Sequence, residues 1–245
     1  MIFYKRAKRS QDGQLSRKSR NRSCRIVPLL FPIILLSCSS NNCQQNSSSN
    51  SLTKTPHVVV LLDKSASMEF LVDDVLMGFN RLVGQLPDTS YVTLFGFESI
   101  DGLQTIFSHE SVISLPQLTR NEYQLGDGTP LYDAISKTII YIENNAVNQI
   151  DEKVLFVIIS DGLENSSTSY DMNETRDLVN QEKQKGWDIR FFGLGSDAAS
   201  EASNLGIPVA DSLTFSPNQQ GVKDAFDNIA GSFATTKPKC ERFIP

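Results

Sequence analysis

Three runs of consecutive aliphatic and β-branched residues constrain most strongly how this chain can fold. They are His57–Asp63, Lys153–Ser160 and Asp188–Leu194. Apolar residues occupy successive positions in these runs, so both faces of each strand must be buried. Strands of this kind are typical of parallel sheets that carry helices on both sides. The runs therefore predict a mainly parallel sheet at the centre of the molecule.

Segments with helical periodicity lie between the predicted strands. Met68–Leu86 and Leu131–Ala146 repeat their apolar residues every three or four positions. A more polar helix is predicted over Asp171–Lys185, and it ends at Gly186. The remaining predicted elements are strands at Tyr91–Phe97, Leu103–Phe107 and Pro208–Ala210, and helices at about 197–205 and Asn218–Phe233. This alternation predicts an α/β fold with a doubly wound, mostly parallel sheet and helices on both faces.

The first 37 residues differ in composition from the rest of the chain. Residues 1–25 contain nine Lys and Arg and a single acidic residue, and residues 26–37 form an uncharged apolar run of 12. A basic flank followed by a short apolar run is typical of a secretory signal. The run is too short to span a bilayer, which takes about 20 helical residues. Residues 1–37 are therefore predicted to be an export signal, and the alternative is a plain anchor helix.

The segments that follow the signal are predicted from their composition. Residues 38–55 are polar and of low complexity, which predicts a flexible tether. Residues 56–235 are predicted to form the folded domain, and residues 236–245 a C-terminal tail. Without residues 1–37 the chain has 14 basic residues against 27 acidic ones, a net charge of −13. A domain this acidic repels phosphates, so nucleic acid is excluded as a partner.

Three polar loops follow or face the carboxyl ends of predicted strands, where ligands bind in open α/β sheets. They are Asp63–Met68, Gly126–Pro130 and Ser160–Gly162. Each loop offers hydroxyl or carboxylate oxygens, and the candidate metal ligands are Asp63, Ser65, Ser67, Thr129 and Asp161.

Taken singly, these residues also have ordinary structural interpretations. Ser65 or Ser67 would suit a helix N-cap, and Thr129 precedes a proline that can begin a helix. Asp161 and the glycine after it would suit a turn. Their coincidence on three converging loops favours a metal site over these separate roles.

The same residues resemble the metal-ion-dependent adhesion motif of the von Willebrand factor type A (VWA) family. That motif is Asp-x-Ser-x-Ser, then a distant Thr, then a distant Asp. It is matched here by Asp63, Ser65, Ser67, Thr129 and Asp161. The flanking sequences VVVLLDKSASM, GTPLYDAI and VIISDGLENSS are similar to bacterial members, and the resemblance covers residues 56 to about 233. Ala66 stands where the family often has Gly.

The resemblance implies a VWA fold and a divalent cation that binds an acidic residue of a partner protein. Oxygen ligands suit Mg²⁺ or Mn²⁺, while the lack of sulfur and imidazole disfavours zinc and copper. Two carboxylates leave a divalent cation close to neutral. The predicted cation can therefore accept one more carboxylate from outside.

The end of the apolar run carries a second resemblance. Leu35-Leu36-Ser37-Cys38 resembles the lipobox of bacterial lipoproteins, although the basic flank is longer than usual for them. This implies lipid on Cys38 and a domain outside the cytoplasm, anchored to a membrane of the bacterial cell envelope. Cys43 and Cys240 flank the domain and, in an exported protein, predict a disulfide; the alternative is two unpaired thiols in the tails.

Other functions fit parts of the sequence. A metal-dependent hydrolase or phosphatase would need a base of suitable pKa, but His57 opens a strand and His109 is assigned to a polar loop region away from the three loops. The segment Gly193–Ala198 matches a dinucleotide-binding pattern, but it follows a late strand and precedes a short helix. A scaffold with a purely structural metal is the third alternative. The sequence thus favours a binding domain over an enzyme.

Several nearby polar residues are assigned to ordinary surface roles. Lys64 is predicted to be a solvated loop residue and Asp127 a turn residue, and the alternative for Asp127 is a partner that supports the metal ligands. Glu69, Asp133 and Glu164 are predicted to lie on solvated faces or to cap helices.

Overall fold

A single six-stranded sheet forms the centre of the computed structural model, which describes residues 54–145, 151–161, 163–194 and 198–233. Its strands are β1 (Thr55–Asp63), β2 (Tyr91–Glu98), β3 (Gly102–Ser111), β4 (Glu152–Ser160), β5 (Asp188–Leu194) and β6 (Ser212–Phe215). The strand order is β3-β2-β1-β4-β5-β6. Strand β3 runs antiparallel to β2, and the other neighbouring strands are parallel. The predicted mostly parallel α/β fold is confirmed.

Helices cover both faces of the sheet. They are α1 (Val72–Val83), α2 (Leu131–Asn144), α3 (Met172–Lys185), α4 (Ala198–Asn204) and α5 (Gln219–Gly231). Helices α1 and α5 pack in one core with Val58, Val60 and Leu62 of β1. Helices α2, α3 and α4 pack in a second core with Val59 and Leu61. The continuous apolar run of β1 therefore supplies alternate residues to two cores, as its composition predicts.

Element boundaries differ from the prediction in three places. The first helix begins with a 3₁₀ turn at Ala66–Leu71 before α1. Strand β3 is longer than predicted and contains His109, which was assigned to a loop. The predicted strand Pro208–Ala210 is wrong, because Val209–Asp211 forms a 3₁₀ turn. Pro208 has no N–H to donate to a neighbouring strand, and the residues that pair with β5 are those of β6.

The topology places the three polar loops at one edge of the sheet. Strands β1 and β4 are adjacent and parallel, so Asp63 and Ser160 both lie at the carboxyl edge. The chain winds outward from β1 to β2 on one side and from β4 to β5 on the other. The strand order therefore reverses between β1 and β4, which is where open α/β sheets bind ligands.

The predicted signal, tether and tail lie outside the described residues, together with Cys38, Cys43 and Cys240. The same holds for Gly162 and for residues 195–197 of the dinucleotide-like segment. No helix within the described ranges is long and apolar enough to cross a membrane.

Candidate metal centre

The Asp63 carboxylate is held in a fixed orientation at the end of β1. The residue is fully buried. Its Oδ2 accepts a hydrogen bond of 2.5 Å from the Ser160 hydroxyl on β4, and its Oδ1 accepts one of 2.8 Å from the backbone N–H of Ser65. The two strands and the loop after β1 therefore fix one carboxylate at the switch point of the sheet.

Two serine hydroxyls connect the first loop to Asp161. Ser65 Oγ lies 3.0 Å from Ser67 Oγ, and Ser67 Oγ donates a hydrogen bond of 2.8 Å to Asp161 Oδ1. Ser65 is buried, whereas Ser67 is exposed and Asp161 is partly exposed. The arrangement has a buried side and a side that is open to solvent. Four of the five predicted ligands thus lie in one hydrogen-bonded group.

The fifth predicted ligand, Thr129, lies on a loop that packs against the other two. The N–H of Ala66 donates to the backbone oxygen of Asp127 at 3.3 Å, which joins the second loop to the first. The N–H of Thr129 donates to Asn165 Oδ1 at 2.8 Å, and the N–H of Asn165 donates to the Thr129 carbonyl at 3.2 Å. Thr129 is buried, and Asp127 lies exposed in a bend.

The electrostatics of the group favour a bound cation. Burial, together with the charge on Asp161, raises the pKa of Asp63 to about 6, although the hydrogen bonds from Ser160 and Ser65 oppose this. Burial also raises the pKa of Asp161, although the hydrogen bond from Ser67 opposes this. Two carboxylates with raised pKa values face each other across neutral hydroxyls. A divalent cation between them would offset the free-energy cost of their charge.

Lys64 is buried, so its prediction as a solvated residue is wrong. Its side chain is 2% exposed and crosses Gly96 of β2, where any Cβ would overlap Lys64 Cδ. Its Nζ donates a hydrogen bond of 2.5 Å to Gln104 Oε1 on β3. Burial lowers the pKa of Lys64, against the raising effect of Glu98 and Asp101. The side chain points away from the candidate ligands and ties the first loop to the edge of the sheet.

Two of the acidic residues that were assigned to surfaces or caps organise the chain after β4. Glu164 accepts hydrogen bonds from the N–H groups of Ser166 and Ser167 and from the N–H of Tyr132 in the first turn of α2. Asp133 is buried and accepts from the N–H groups of Ser169 and Tyr170. Glu164 therefore caps α2 from another loop, while Asp133 fixes a loop from within the helix. Glu69 is exposed, as expected.

Sequence reasoning missed one side chain that supports the centre. Tyr123 is 2% exposed, and its hydroxyl donates a hydrogen bond of 2.5 Å to the backbone oxygen of Asp63. Burial raises the pKa of Tyr123 well above its usual value. No local pattern identifies it, because Tyr123 lies in an irregular segment 60 residues from its partner.

Comparison with solved structures decides the structural class. The vWF domain of the type V pili tip protein Mfa5 from Porphyromonas gingivalis superposes with a TM-score of 0.59 at 13% identity, over 77% of this chain and 98% of that chain. This chain has the von Willebrand factor type A fold. The manganese-loaded TRAP protein of Plasmodium vivax gives a TM-score of 0.51 at 18% identity, over 73% of this chain and 74% of that chain.

A third similar structure comes from the mussel byssus. Proximal thread matrix protein 1 with a zinc-occupied MIDAS motif has a TM-score of 0.52 at 12% identity, and the match covers 73% of this chain but 46% of that chain. No protein-family model and no curated protein sequence matches the chain. At sequence identities of 12–18%, these similarities show the fold of the chain and no more than the fold.

The candidate ligands of this domain fit a hard divalent cation. The candidate set offers carboxylate and hydroxyl oxygens and no sulfur or imidazole, which is the ligand chemistry of Mg²⁺ and Mn²⁺. The two histidines of the chain lie toward the amino ends of β1 and β4, about six residues of β1 away from Asp63. Six strand residues span roughly 20 Å. The chemistry available at the centre is therefore cation binding by oxygen.

Proposed function

We propose that Asp63, Ser65, Ser67, Thr129 and Asp161 hold a divalent cation, Mg²⁺ or Mn²⁺, and that this cation binds an Asp or Glu of a partner protein. The domain then acts in adhesion or complex assembly and not as an enzyme. The observation that carries the proposal is the buried Asp63 carboxylate at one end of the sheet, which accepts the N–H of Ser65 and is connected through the hydroxyls of Ser65 and Ser67 to Asp161.

The charge balance supports an acidic ligand. Two carboxylates and neutral hydroxyls leave a divalent cation close to neutral but electrophilic, so a third carboxylate is a favourable additional ligand. Ser67 and Asp161 lie on the solvent side of the group, where a partner would approach. A VWA structure with manganese and one with a zinc-occupied MIDAS motif add support from other proteins of this fold.

A hydrolase would need a base beside the cation. Both histidines of this chain lie at the other edge of the sheet, so they are too far from the centre to serve as that base. Binding without catalysis is therefore the simpler proposal.

Calorimetry of the full chain tests the cation. Wild type should bind one equivalent of Mn²⁺ at this centre, and Asp63→Ala should lose that binding because it removes the buried charge. Ser67→Ala should weaken binding less, since it removes a neutral ligand. Glu69→Ala, which removes an exposed carboxylate from the adjacent 3₁₀ turn, is the control and should bind as wild type does. Equal affinity in wild type and Asp63→Ala would contradict the proposal.

Water proton relaxation of the Mn²⁺-loaded chain tests the acidic ligand. A peptide with a single Glu should displace water from the cation and lower the relaxivity, and the same peptide with Gln should not. If Mn²⁺ binds but neither peptide changes the relaxivity, the cation has a purely structural role and the adhesion proposal fails.

We also propose that the domain is carried on a lipid anchor at Cys38, on a membrane of the bacterial cell envelope. The support is the sequence Leu35–Cys38 at the end of the short apolar run. A cysteine that carries two or three acyl chains provides the stable anchoring that one chain does not. Cys38→Ser should abolish incorporation of labelled palmitate, whereas Cys43→Ser should leave it unchanged. Intact mass with and without reductant tests whether Cys43 and Cys240 form a disulfide.

A further inference from the structure

The two histidines of the chain meet at one glutamate, at the edge of the sheet opposite the candidate metal centre. His57 lies near the start of β1, Glu152 begins β4, and His109 lies on β3. His109 Nε2 is 2.7 Å from Glu152 Oε1, and His57 Nδ1 is 3.2 Å from Glu152 Oε2. One ligand atom from each of the three residues lies within 4.8 Å of the others. The chain contains two histidines in 245 residues, and both take part.

A bulge in β3 brings His109 to this position. Between the pairs Val92–Glu110 and Leu94–Phe107, the single residue Thr93 of β2 faces two residues of β3. His109 is the second of these two residues, and its φ of 50° is the single positive value at a non-glycine residue in the described ranges. Left-handed backbone at a histidine costs free energy, and such strain is often kept at functional positions. A bulge also re-aims a side chain, and this one directs the ring toward Glu152.

Two atoms of the cluster are buried without a hydrogen bond. His57 Nδ1 and Glu152 Oε2 are inaccessible to solvent and face each other at 3.2 Å as an ion pair with poor hydrogen-bond geometry, and neither has another hydrogen-bond partner among the described residues. The His57 side chain is 1% exposed and that of Glu152 is 6% exposed. Buried polar atoms are rarely left in this state, because each loses its hydration. The two atoms point into the same space as His109 Nε2.

Thr93 orients both histidines. Its hydroxyl lies 2.8 Å from His57 Nε2, and it accepts a hydrogen bond of 3.0 Å from the backbone N–H of His109. With Nε2–H of His57 donating to Thr93, the Nδ1 atom has a free lone pair toward Glu152. Metal-binding histidines are held in this way by a partner on the other ring nitrogen.

We propose that His57 Nδ1, His109 Nε2 and the Glu152 carboxylate form a second metal site, selective for a zinc-type transition-metal ion. Two imidazoles and one carboxylate are a ligand set found at zinc sites with one open position. Ideal tetrahedral ligands lie about 3.3 Å apart for bonds of about 2.0–2.1 Å. The observed separations bracket this value, so small side-chain movements suffice to enclose an ion. His109 is 34% exposed, which leaves a path for the ion and a place for a water ligand.

The two sites would differ in both chemistry and role. The candidate centre at Asp63 offers oxygen alone, whereas this cluster offers two nitrogens and suits a softer ion. An ion here would link the edge strand β3 to the central strands β1 and β4 across β2. It would therefore stabilise the sheet at the end that lies away from a partner bound at Asp63.

Zinc K-edge X-ray absorption on the untagged full chain tests the site directly. The background is Asp63→Ala, which removes the other centre and its capacity for zinc. This chain should bind one equivalent of Zn²⁺, and the spectrum should show scattering from two imidazole rings. The assignment is unambiguous because the chain has no other histidines.

Matched variants then separate metal binding from a structural role. His109→Gly removes the imidazole and relieves the positive φ, so it should fold while Zn²⁺ affinity falls at least about 100-fold. Glu152→Gln should weaken affinity to a similar degree, and Thr93→Val by about 10–100-fold, as expected for a residue that orients a ligand. Glu110→Gln, which changes an exposed carboxylate next to His109, should bind Zn²⁺ as the parent chain does.

Two results would overturn the second site. One is a spectrum without imidazole scattering at one equivalent of Zn²⁺. The other is equal Zn²⁺ affinity in the parent chain and in His109→Gly. Neither result bears on Mn²⁺ binding at Asp63 in the wild type, which is measured separately, so failure of this inference is distinguishable from failure of the proposed adhesion site.

Discussion

At the scale of single residues, the candidate centre depends on side chains that position its ligands. Ser160 and Tyr123 both hold Asp63, one through the carboxylate and one through the backbone oxygen. Gly128 is needed for a different reason. A Cβ at that position would lie 2.8 Å from Asn165 Oδ1, the atom that accepts the N–H of Thr129. The position of Thr129 therefore depends on a neighbour without a side chain.

Tyr123→Phe should destabilise the domain by about 0.5–1.5 kcal/mol, because it removes one buried hydrogen bond and keeps the ring. It should also weaken Mn²⁺ binding, since the end of β1 gains freedom to move. Urea denaturation and calorimetry measure the two effects. Tyr141→Phe is the control, because the bond of Tyr141 to Ser108 Oγ is exposed and its loss should be nearly neutral. Equal stability losses in the two variants would contradict the role of Tyr123.

At the scale of elements, the start of α2 is capped by the loop that follows β4. Pro130 precedes the helix and provides no side-chain cap. Glu164 and Ser167 accept the N–H groups of Tyr132 and Asp133 instead. A carboxylate at a helix N-terminus also interacts favourably with the helix dipole. The loop after Asp161 and the helix after Thr129 therefore stabilise each other, and two of the three site loops are coupled.

Glu164→Ala should cost about 1–3 kcal/mol, because it leaves several backbone N–H groups without their charged acceptor. The loss should appear in urea denaturation, and hydrogen exchange should rise at residues 131–133 and 166–167. Glu69→Ala removes an exposed carboxylate near the start of another helix and should change stability by less than about 0.5 kcal/mol. Unchanged exchange at the start of α2 would show that Glu164 is not its cap.

Asp133 adds a pH dependence to the same pair of elements. Burial raises the pKa of its carboxyl, but hydrogen bonds from Lys137, Tyr170 and Ser169 outweigh this, so the pKa lies below the usual 3.8. A lowered folded-state pKa stabilises the protein above pH 3.8, and that contribution is lost as the pH falls through the lower, folded value. The stability difference between wild type and Asp133→Asn should therefore be full at pH 7 and shrink below pH 3.8. A difference independent of pH would rule out a charge effect.

At the scale of the whole molecule, the fold and the cation are separable. The two cores on either side of the sheet consist mainly of apolar residues from the strands and helices, and none of the five candidate ligands belongs to them. The domain should therefore fold without metal. Residues 38–245 carry a net charge of −13, and this acidic character favours any bound cation. It also repels an acidic partner, and salt screens this repulsion at separations greater than a Debye length of about 8–10 Å.

Asp63→Ala should consequently remain folded but lose the stabilisation that Mg²⁺ provides. At a free Mg²⁺ concentration of about 100 times its Kd, wild type should gain about 2.7 kcal/mol, and the variant nothing. Thermal unfolding with Mg²⁺ and with EDTA measures this gain. A variant that unfolds at room temperature in EDTA, or a wild type whose Tm ignores Mg²⁺, would contradict the separation of fold and site.

The sequence by itself determined five of the six strands, the helices and the carboxyl-edge loops, while it misplaced β6. Burial on both faces of a strand requires a continuous apolar run, and this is visible in His57–Asp63. The spacing of Asp63, Ser65 and Ser67 is also a local feature, because all three residues lie in one short loop. Patterns of this kind involve residues that are close together in the sequence. They can therefore be recognised without knowledge of the tertiary structure.

The tertiary structure alone decided the roles of residues whose partners are distant in sequence. Lys64 is buried because β3 and Gly96 cover it, and Glu164 caps a helix that begins 33 residues earlier. His57 and Glu152 are close together because β1 and β4 are neighbouring strands. His109 reaches them because of the bulge in β3. Strand order, register and a one-residue bulge set these contacts. They depend on how the whole sheet packs, which no local pattern specifies.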